Sequence, residues 1–415
     1  MVIRGEIELP GDKSISHRAL MFAALAQGES KIENISTGDD IQSTMNCLKA
    51  CGIDINNKNE GLIVKGGSFS DPKRPLNCGN SGTTARLMLG LLAGRGIQAK
   101  FIGDDSLSSR PMDRIMSPLS KMGLKYRSTN GKLPVTIEQS DLVGIDYRSS
   151  IASAQLKSAL LLAGLGADSK TIVREPLKSR DHTEIMLSEM GAKIHTDGLS
   201  TFIEPQSSDL RSINMSIPGD PSSAAFFVAA AAMLPGSGII LKNILLNPTR
   251  AEVFHHLEKM GIVIKYINNY KRSGESIGSL AISHGELSSI IINEQDVPGV
   301  IDELPILAIL ATQANGTTIV KGASELRVKE CDRINAICLN LRKMGGDIIE
   351  LEDGFKINGP TELHGANIET FHDHRIAMAF AIAGLITTQS VILDHPECAS
   401  TSFPEFYDVL DRVCQ

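Results

Sequence analysis

The chain has 415 residues, a length that predicts two or three domains at about 150 residues each. Its 41 basic residues against 48 acidic ones leave a net charge of −7, which argues against a general nucleic-acid binder. Aromatic residues are only 4% and Trp is absent, which argues against stacking platforms, while 42% hydrophobic content is enough for sizeable cores.

No apolar run approaches the ~18 residues needed to cross a bilayer, and the longest, such as Ala377 to Ile386, have the length of a buried helix. The opening MVIRGEIELPGDK lacks the apolar stretch of an export signal, so a cytoplasmic protein is expected. Seven scattered cysteines without a CxxC suggest free thiols in a reducing compartment. Ten histidines include no HExxH, and His372 with His374 is only a weak metal fragment, so no metal is expected.

Six helix-like apolar stretches follow one another along the chain, each running into a Gly and then a β-like segment. They begin at Lys13 (KSISHRALMFAALAQG), Ser81 (SGTTARLMLGLLAG), Ser153 (SAQLKSALLLAGLG), Asp220 (DPSSAAFFVAAAAMLPG), Asp302 (DELPILAILATQANG) and Asp373 (DHRIAMAFAIAG). A second marker is in phase with them: LKACG, LSKMG, LSEMG, LEKMG and LRKMG end on Gly52, Gly123, Gly191, Gly261 and Gly345, each suited to the left-handed cap that stops a helix. Each unit therefore reads strand, helix, strand, helix, strand, strand. PGDKSISHRA at Pro10 is echoed by PGDPSSAAFF at Pro218, which predicts two domains of three units each. Residues 12–218 are expected to form one, and 219–415 with 1–11 the other, with the site in the interdomain cleft.

The charged residues sit where helix physics would not place them. Lys13, Ser14 and Arg18 follow a capping Asp12, although a cation at a helix start opposes the macrodipole by ~0.3–1 kcal/mol. Free N–H groups and cations together make an anion site. CGNSGTTAR, Cys78 to Arg86, sets Asn80, Ser81 and Gly82 before a helix, a way to hold a phosphate or carboxylate without a Walker lysine. Arg110 precedes a proline, which favours an extended backbone. ASAQLKSALL offers Ser153, Gln155 and Lys157, and SRDHTE offers Ser179, Arg180 and His182, with capping a competing role for Ser179. In ELRVKECDRI, Lys329 and Arg333 are four apart and Glu330 lies three before Arg333, a spacing that also suits a salt-bridged surface helix. Asp302 and Glu303 open an apolar helix, where capping again competes, and His374 and Arg375 open another. Convergence of these starts would create a trap for small, highly anionic substrates.

These segments, with SSRPMDR, HDHRIAMAFA and SFPEF, run in order from residue 10 to 406 and resemble those of the 5-enolpyruvylshikimate-3-phosphate synthases, the 3-phosphoshikimate 1-carboxyvinyltransferases. The resemblance implies an α/β fold, a two-domain inside-out α/β barrel of six βαβαββ repeats. It implies transfer of the enolpyruvyl group of phosphoenolpyruvate to the 5-hydroxyl of shikimate 3-phosphate by addition and elimination, on the route to chorismate and the aromatic amino acids. No cofactor is implied. Lys13, Asp302 and Glu330 are then the catalytic candidates. Lys13, Ser14, Arg18, Ser153, Gln155, Ser179, Asp302 and Lys329 are expected to bind shikimate 3-phosphate. Lys13, Asn80, Gly82, Arg110, Gln155, Arg333 and Arg375 are expected to hold phosphoenolpyruvate, with His374 supporting the site. Glyphosate is the expected inhibitor, domain closure the expected motion, and a monomer the expected state.

Three positions depart from the family pattern: Ser400 stands where many members carry Lys, Glu325 where some use Asn, and His182 where others have Tyr. UDP-N-acetylglucosamine enolpyruvyl transferases share the chemistry but use a loop Cys as acid, and SSRPMD carries none near Arg110. A catalytically silent metabolite-binding protein is the remaining alternative, against which Lys13, Asp302, Glu330 and the arginines argue.

Overall fold

The computed structural model describes residues 1–58, 61–206 and 209–415. The chain divides into two compact units, Gly11–Ile217 and Met1–Pro10 with Pro218–Gln415.

In the Gly11–Ile217 unit, three helices carry the core: Lys13–Leu25, Gly82–Gly94 and Ala154–Gly164. Each is apolar on nearly all sides, as a fully buried helix must be. Asp12, Ser81 and Ser153 cap them, accepting from the N–H groups of Ile15, Thr84 and Leu156. The second and third of these helices approach backbone to backbone. A Cβ on Gly90 would stand 2.1 Å from the Ala159 carbonyl oxygen, so only glycine fits there.

Three four-stranded sheets surround these helices. In the second, Leu76–Asn77 runs parallel to Ala99–Ile102, which pairs antiparallel with Lys132–Ile137, itself paired with Tyr126–Thr129. The third repeats this order with Asp146–Arg148, Thr171–Arg174, Ser200–Ile203 and Ile194–Asp197. The first does so too, but its opening strand is Asn214–Ser216, from the far end of the unit, laid parallel to Gly28–Glu33.

The other unit is built around Pro221–Met233, Leu304–Ala311 and His374–Gly384. Its first sheet borrows Arg4–Glu8, parallel to Gly238–Leu245, followed by Glu275–Ser283 and Ile264–Arg272. Its second is Ile291–Ile292, Gly316–Val320, Gly354–Gly359 and Asp347–Leu351. The last repeat departs from the expected pattern. Asn367–Ile368 and Ile392–Leu393 form a two-stranded pair, the helix Phe406–Val413 follows in its expected place, and among the described residues no closing hairpin comes after it. Aromatic packing seats that last helix: Phe403 and Phe406 pack on Phe227, and Phe406 meets Phe226 edge-on at 5.7 Å.

All five marker glycines adopt the left-handed conformation, with φ of +90° at Gly52, +102° at Gly123, +92° at Gly191, +93° at Gly261 and +84° at Gly345. The seven cysteines are free thiols. Among the described residues no helix is long and apolar enough to cross a membrane.

Candidate active site

The helix starts of the Gly11–Ile217 unit gather its candidate residues. Lys13 at the first start lies 3.0 Å from Asp40 Oδ2 and is partly open to solvent. One turn on, Arg18 is buried, and its three nitrogens are all engaged: Nη1 with the Ser14 carbonyl at 2.9 Å, Nε with Thr183 Oγ1 at 2.8 Å and Nη2 with Ser158 Oγ at 2.8 Å. Arg180 Nη1 reaches Ser14 Oγ at 3.3 Å. The first and third repeats of this unit thus meet around Ser14. His17 is buried beneath them, donating to or accepting from Thr44 Oγ1 at 2.7 Å. Burial, with Lys13 and Arg18 nearby, pushes its imidazole well below the usual 6.5, so the ring is neutral.

The second start carries its own arginines and is tied to the first through Thr84, whose hydroxyl lies 2.7 Å from Thr44 Oγ1. Arg110 is extended, with ψ of 143°. Its guanidinium donates to the Asn80 side chain at 2.5 Å, to Ser106 Oγ at 2.9 Å and to the Asn80 carbonyl at 3.3 Å. The position of a Cβ on Gly82 would lie 3.1 Å from Arg86 Nη1 and 3.6 Å from Arg110 Nη1, so two guanidinium groups flank a bare backbone. Arg86 Nη1 donates to Gln155 Oε1 at 2.7 Å, and Gln155 Nε2 to Thr83 Oγ1 at 2.9 Å. Gln155 therefore joins the second and third starts.

Ser153 and Ser179 differ. Ser153 is a cap, 3.3 Å from the Leu156 N–H. Ser179 makes no cap; its hydroxyl donates to Glu175 Oε1. Glu175 and Glu184 both pair with the buried Lys157, at 2.8 and 2.7 Å. Burial alone would lower the Lys157 pKa, but the two carboxylates outweigh it and raise the value.

In the unit of Met1–Pro10 and Pro218–Gln415, Arg333 is the hub and is 1% exposed. Its Nε donates to Asp373 Oδ2 at 2.7 Å and its Nη2 to Glu330 Oε2 at 2.6 Å. Asp302 Oδ1 lies 3.7 Å from Arg333 Nη1 and 3.6 Å from Lys329 Nζ. Burial acts to lower the Arg333 pKa, but Asp373 and Glu330 outweigh it and raise the value. Asp373 also caps its own helix, accepting from the Arg375 N–H at 2.9 Å. Cys331 Sγ is 3.6 Å from Asp373 Oδ2, and burial followed by that carboxylate pushes its pKa up. His374 is buried beside Arg375.

Two expectations change here. Lys329 and Arg333 do not share a helical face: Lys329 ends a 3-10 turn, Ser324–Val328, and the helix begins only at Arg333, capped by Asp332. The two cations meet through Asp302 instead. Glu303 precedes Leu304–Ala311 yet makes no side-chain cap; its carboxylate turns to Ser222, Arg250 and Arg375. Sequence reasoning passes over Arg86 as a site residue, although it lies one helical turn beyond Gly82. It also misses Arg250, which no local motif marks.

The arrangement can bind several anionic groups and offers carboxylates and a lysine for proton transfer. The family model described as EPSP synthase (3-phosphoshikimate 1-carboxyvinyltransferase) matches residues 2–410. The 3-phosphoshikimate 1-carboxyvinyltransferase of Oceanobacillus iheyensis is 44% identical over 416 residues, spanning 99% of this chain and 97% of its own. That of Bacillus subtilis (strain 168) is 43% identical over 417 residues, with the same coverage. The solved EPSP synthase of Acinetobacter baumannii superposes with a TM-score of 0.88 at 39% identity, covering 99% of this chain and 96% of that one. The enolpyruvyl transferase NikO of Streptomyces tendae shares the fold, with a TM-score of 0.79 at 16% identity over 99% of this chain and 95% of its own.

Proposed function

The chain belongs to the EPSP synthase (3-phosphoshikimate 1-carboxyvinyltransferase) family, and from that membership we propose how its side chains divide the family reaction. The reaction transfers the enolpyruvyl group of phosphoenolpyruvate to the 5-hydroxyl of shikimate 3-phosphate and releases phosphate. In the addition step the hydroxyl oxygen bonds the central enol carbon while a proton is delivered to the methylene carbon. In the elimination step the C–O bond to phosphate breaks and that methyl carbon returns a proton. The first step needs a base and an acid, and both need cations on a carboxylate and a phosphate.

Asp302 takes the hydroxyl proton and Glu330 serves the methylene carbon. Lys13 contacts both substrates and shares proton transfer at the leaving oxygen. Ser14, Arg18, Ser153, Gln155, Ser179 and Lys329 hold shikimate 3-phosphate. Asn80, Gly82, Arg110, Gln155, Arg333 and Arg375 hold phosphoenolpyruvate. Glyphosate acts by occupying the phosphoenolpyruvate position, and the enzyme works as a monomer.

One observation carries this reading. Asp302, Lys329 and Glu330 are gathered around a buried arginine, with ion-pair distances of 3.6 Å from Lys329 to Asp302, and 3.7 and 2.6 Å from Arg333 to Asp302 and Glu330. Candidate base, candidate acid and two anion-binding cations therefore share one network, and Arg333 has an Nη1 with no hydrogen-bond partner. The test is a coupled phosphate-release assay with phosphoenolpyruvate and either shikimate 3-phosphate or UDP-N-acetylglucosamine. Release with shikimate 3-phosphate alone is expected. Release with the nucleotide sugar, or with neither acceptor, overturns the reading.

A further inference from the structure

Four side chains in the unit of Met1–Pro10 and Pro218–Gln415 have no part in the roles above: Asp220, Ser222, Arg250 and Glu303. Asp220 and Ser222 open the helix Pro221–Met233, Arg250 lies just before Glu252–Lys259, and Glu303 lies just before Leu304–Ala311. Arg250 is 2% exposed and Glu303 1%.

A carboxylate this deeply buried needs counter-charge and hydrogen bonds. Glu303 Oε1 accepts from Ser222 Oγ and from Arg250 Nη1, the latter at 3.2 Å. Its Oε2 has no hydrogen-bond partner. Arg250 is not its alone: Nη2 donates to Asp220 Oδ1 at 2.5 Å and to Ser222 Oγ at 2.6 Å. One guanidinium thus serves two carboxylates. The remaining counter-charge for Glu303 is Arg375, whose Nη1 lies 3.9 Å from Oε1. The backbone of Arg375 is anchored separately, its N–H donating to Asp373 at 2.9 Å.

The geometry points to Glu303 as a positioning residue that aims the Arg375 guanidinium at phosphoenolpyruvate, with Arg250 and Ser222 holding Glu303 in turn. The inference rests on the reading that Arg375 binds phosphoenolpyruvate. Asp373 fixes where the arginine starts, and Glu303 fixes where its fork points. Glu303 never touches substrate.

Glu303→Gln keeps the shape and the acceptor for Ser222 and Arg250 but removes the charge facing Arg375. The expected result is a rise of about tenfold in the phosphoenolpyruvate KM, with the shikimate 3-phosphate KM within about twofold of wild type. A folded variant whose phosphoenolpyruvate KM rises less than about threefold overturns the inference. A purely structural role lowers the folded fraction, hence kcat per chain, without moving KM, so the two are separable. If Glu303→Gln does not fold, Ser222→Ala decides by the same threshold, since it removes one donor to Oε1 and no charge. The underlying reading fails separately: Arg375→Lys with an unchanged phosphoenolpyruvate KM removes Arg375 from the site whatever Glu303 does.

Discussion

Arg333 Nε donates to Asp373 Oδ2 at 2.7 Å, although the two residues lie 40 apart in the chain and neither is open to solvent. The same carboxylate caps the helix that begins with His374 and Arg375. One buried acid thus sets the orientation of one candidate phosphoenolpyruvate ligand and the backbone of another. Breaking a buried pair by removing one partner typically costs about 3–5 kcal/mol. Asp373→Asn should therefore lower unfolding stability by roughly that amount and reduce kcat/KM as well. Urea denaturation is the measurement, and a loss below about 1 kcal/mol would show that the pair is not holding Arg333.

Lys13 is a different kind of residue, partly exposed and paired with Asp40, itself only 10% exposed at the side chain. It contributes little to the core. Lys13→Met should cut phosphate release by about 10²–10⁴-fold, the range of a lost acid–base group. The thermal midpoint should move only a few degrees. Near-normal kcat would remove Lys13 from the chemistry.

Ser400, the position where the sequence resemblance leads to the expectation of a lysine, lies in the 3-10 turn Pro396–Thr401. Ser400→Lys adds a cation to that turn. If the turn borders bound phosphoenolpyruvate, its KM should fall several-fold and the effect should shrink with added salt. An unchanged KM would mean that the arginines already supply all the charge the ligand uses.

His256 links stability to pH. It is 1% exposed, and neither ring nitrogen has a hydrogen-bond partner. Burial, then Lys259, lowers its pKa from 6.5 to about 4, with Asp296 opposing. As pH falls, the unfolded chain takes up this proton first, so the folded state loses stability between about pH 7 and pH 4 and gains no further penalty from this group below that. His256→Phe should show a smaller drop in urea midpoint between pH 7.5 and 4.5 than wild type. Equal drops would refute the assignment.

The repeat was legible because its markers are local. A glycine that ends a helix declares itself through the conformation it alone adopts, and Gly52, Gly123, Gly191, Gly261 and Gly345 all do so. The cap Asp12 was equally readable from residue type and position, while Ser153 was legible only as a polar residue at a helix start, and the structure makes both it and Ser81 caps. What escaped was set by tertiary contact. The spacing of Lys329 and Arg333 suited one salt-bridged helix, but Asp332 caps a helix that starts after the turn. Capping was a competing role for Glu303, yet Arg250, 53 residues away, draws its carboxylate elsewhere. The final repeat has no closing hairpin among the described residues, and the phenylalanine packing that seats its last helix is announced by no periodicity.

The two ends of the chain are bonded to each other: the Val2 N–H donates to the Gln415 carbonyl at 3.1 Å, and the Gln415 N–H returns a bond to Val2 at 2.8 Å. The strand Arg4–Glu8 therefore begins close in space to residue 415. Joining residue 415 to residue 1 through a short inserted linker would close the polypeptide into a ring, since direct fusion would leave a single residue to turn the chain between two hydrogen-bonded partners. New termini opened at 10/11 or 217/218 would then give a permuted gene in which each unit is one uninterrupted stretch.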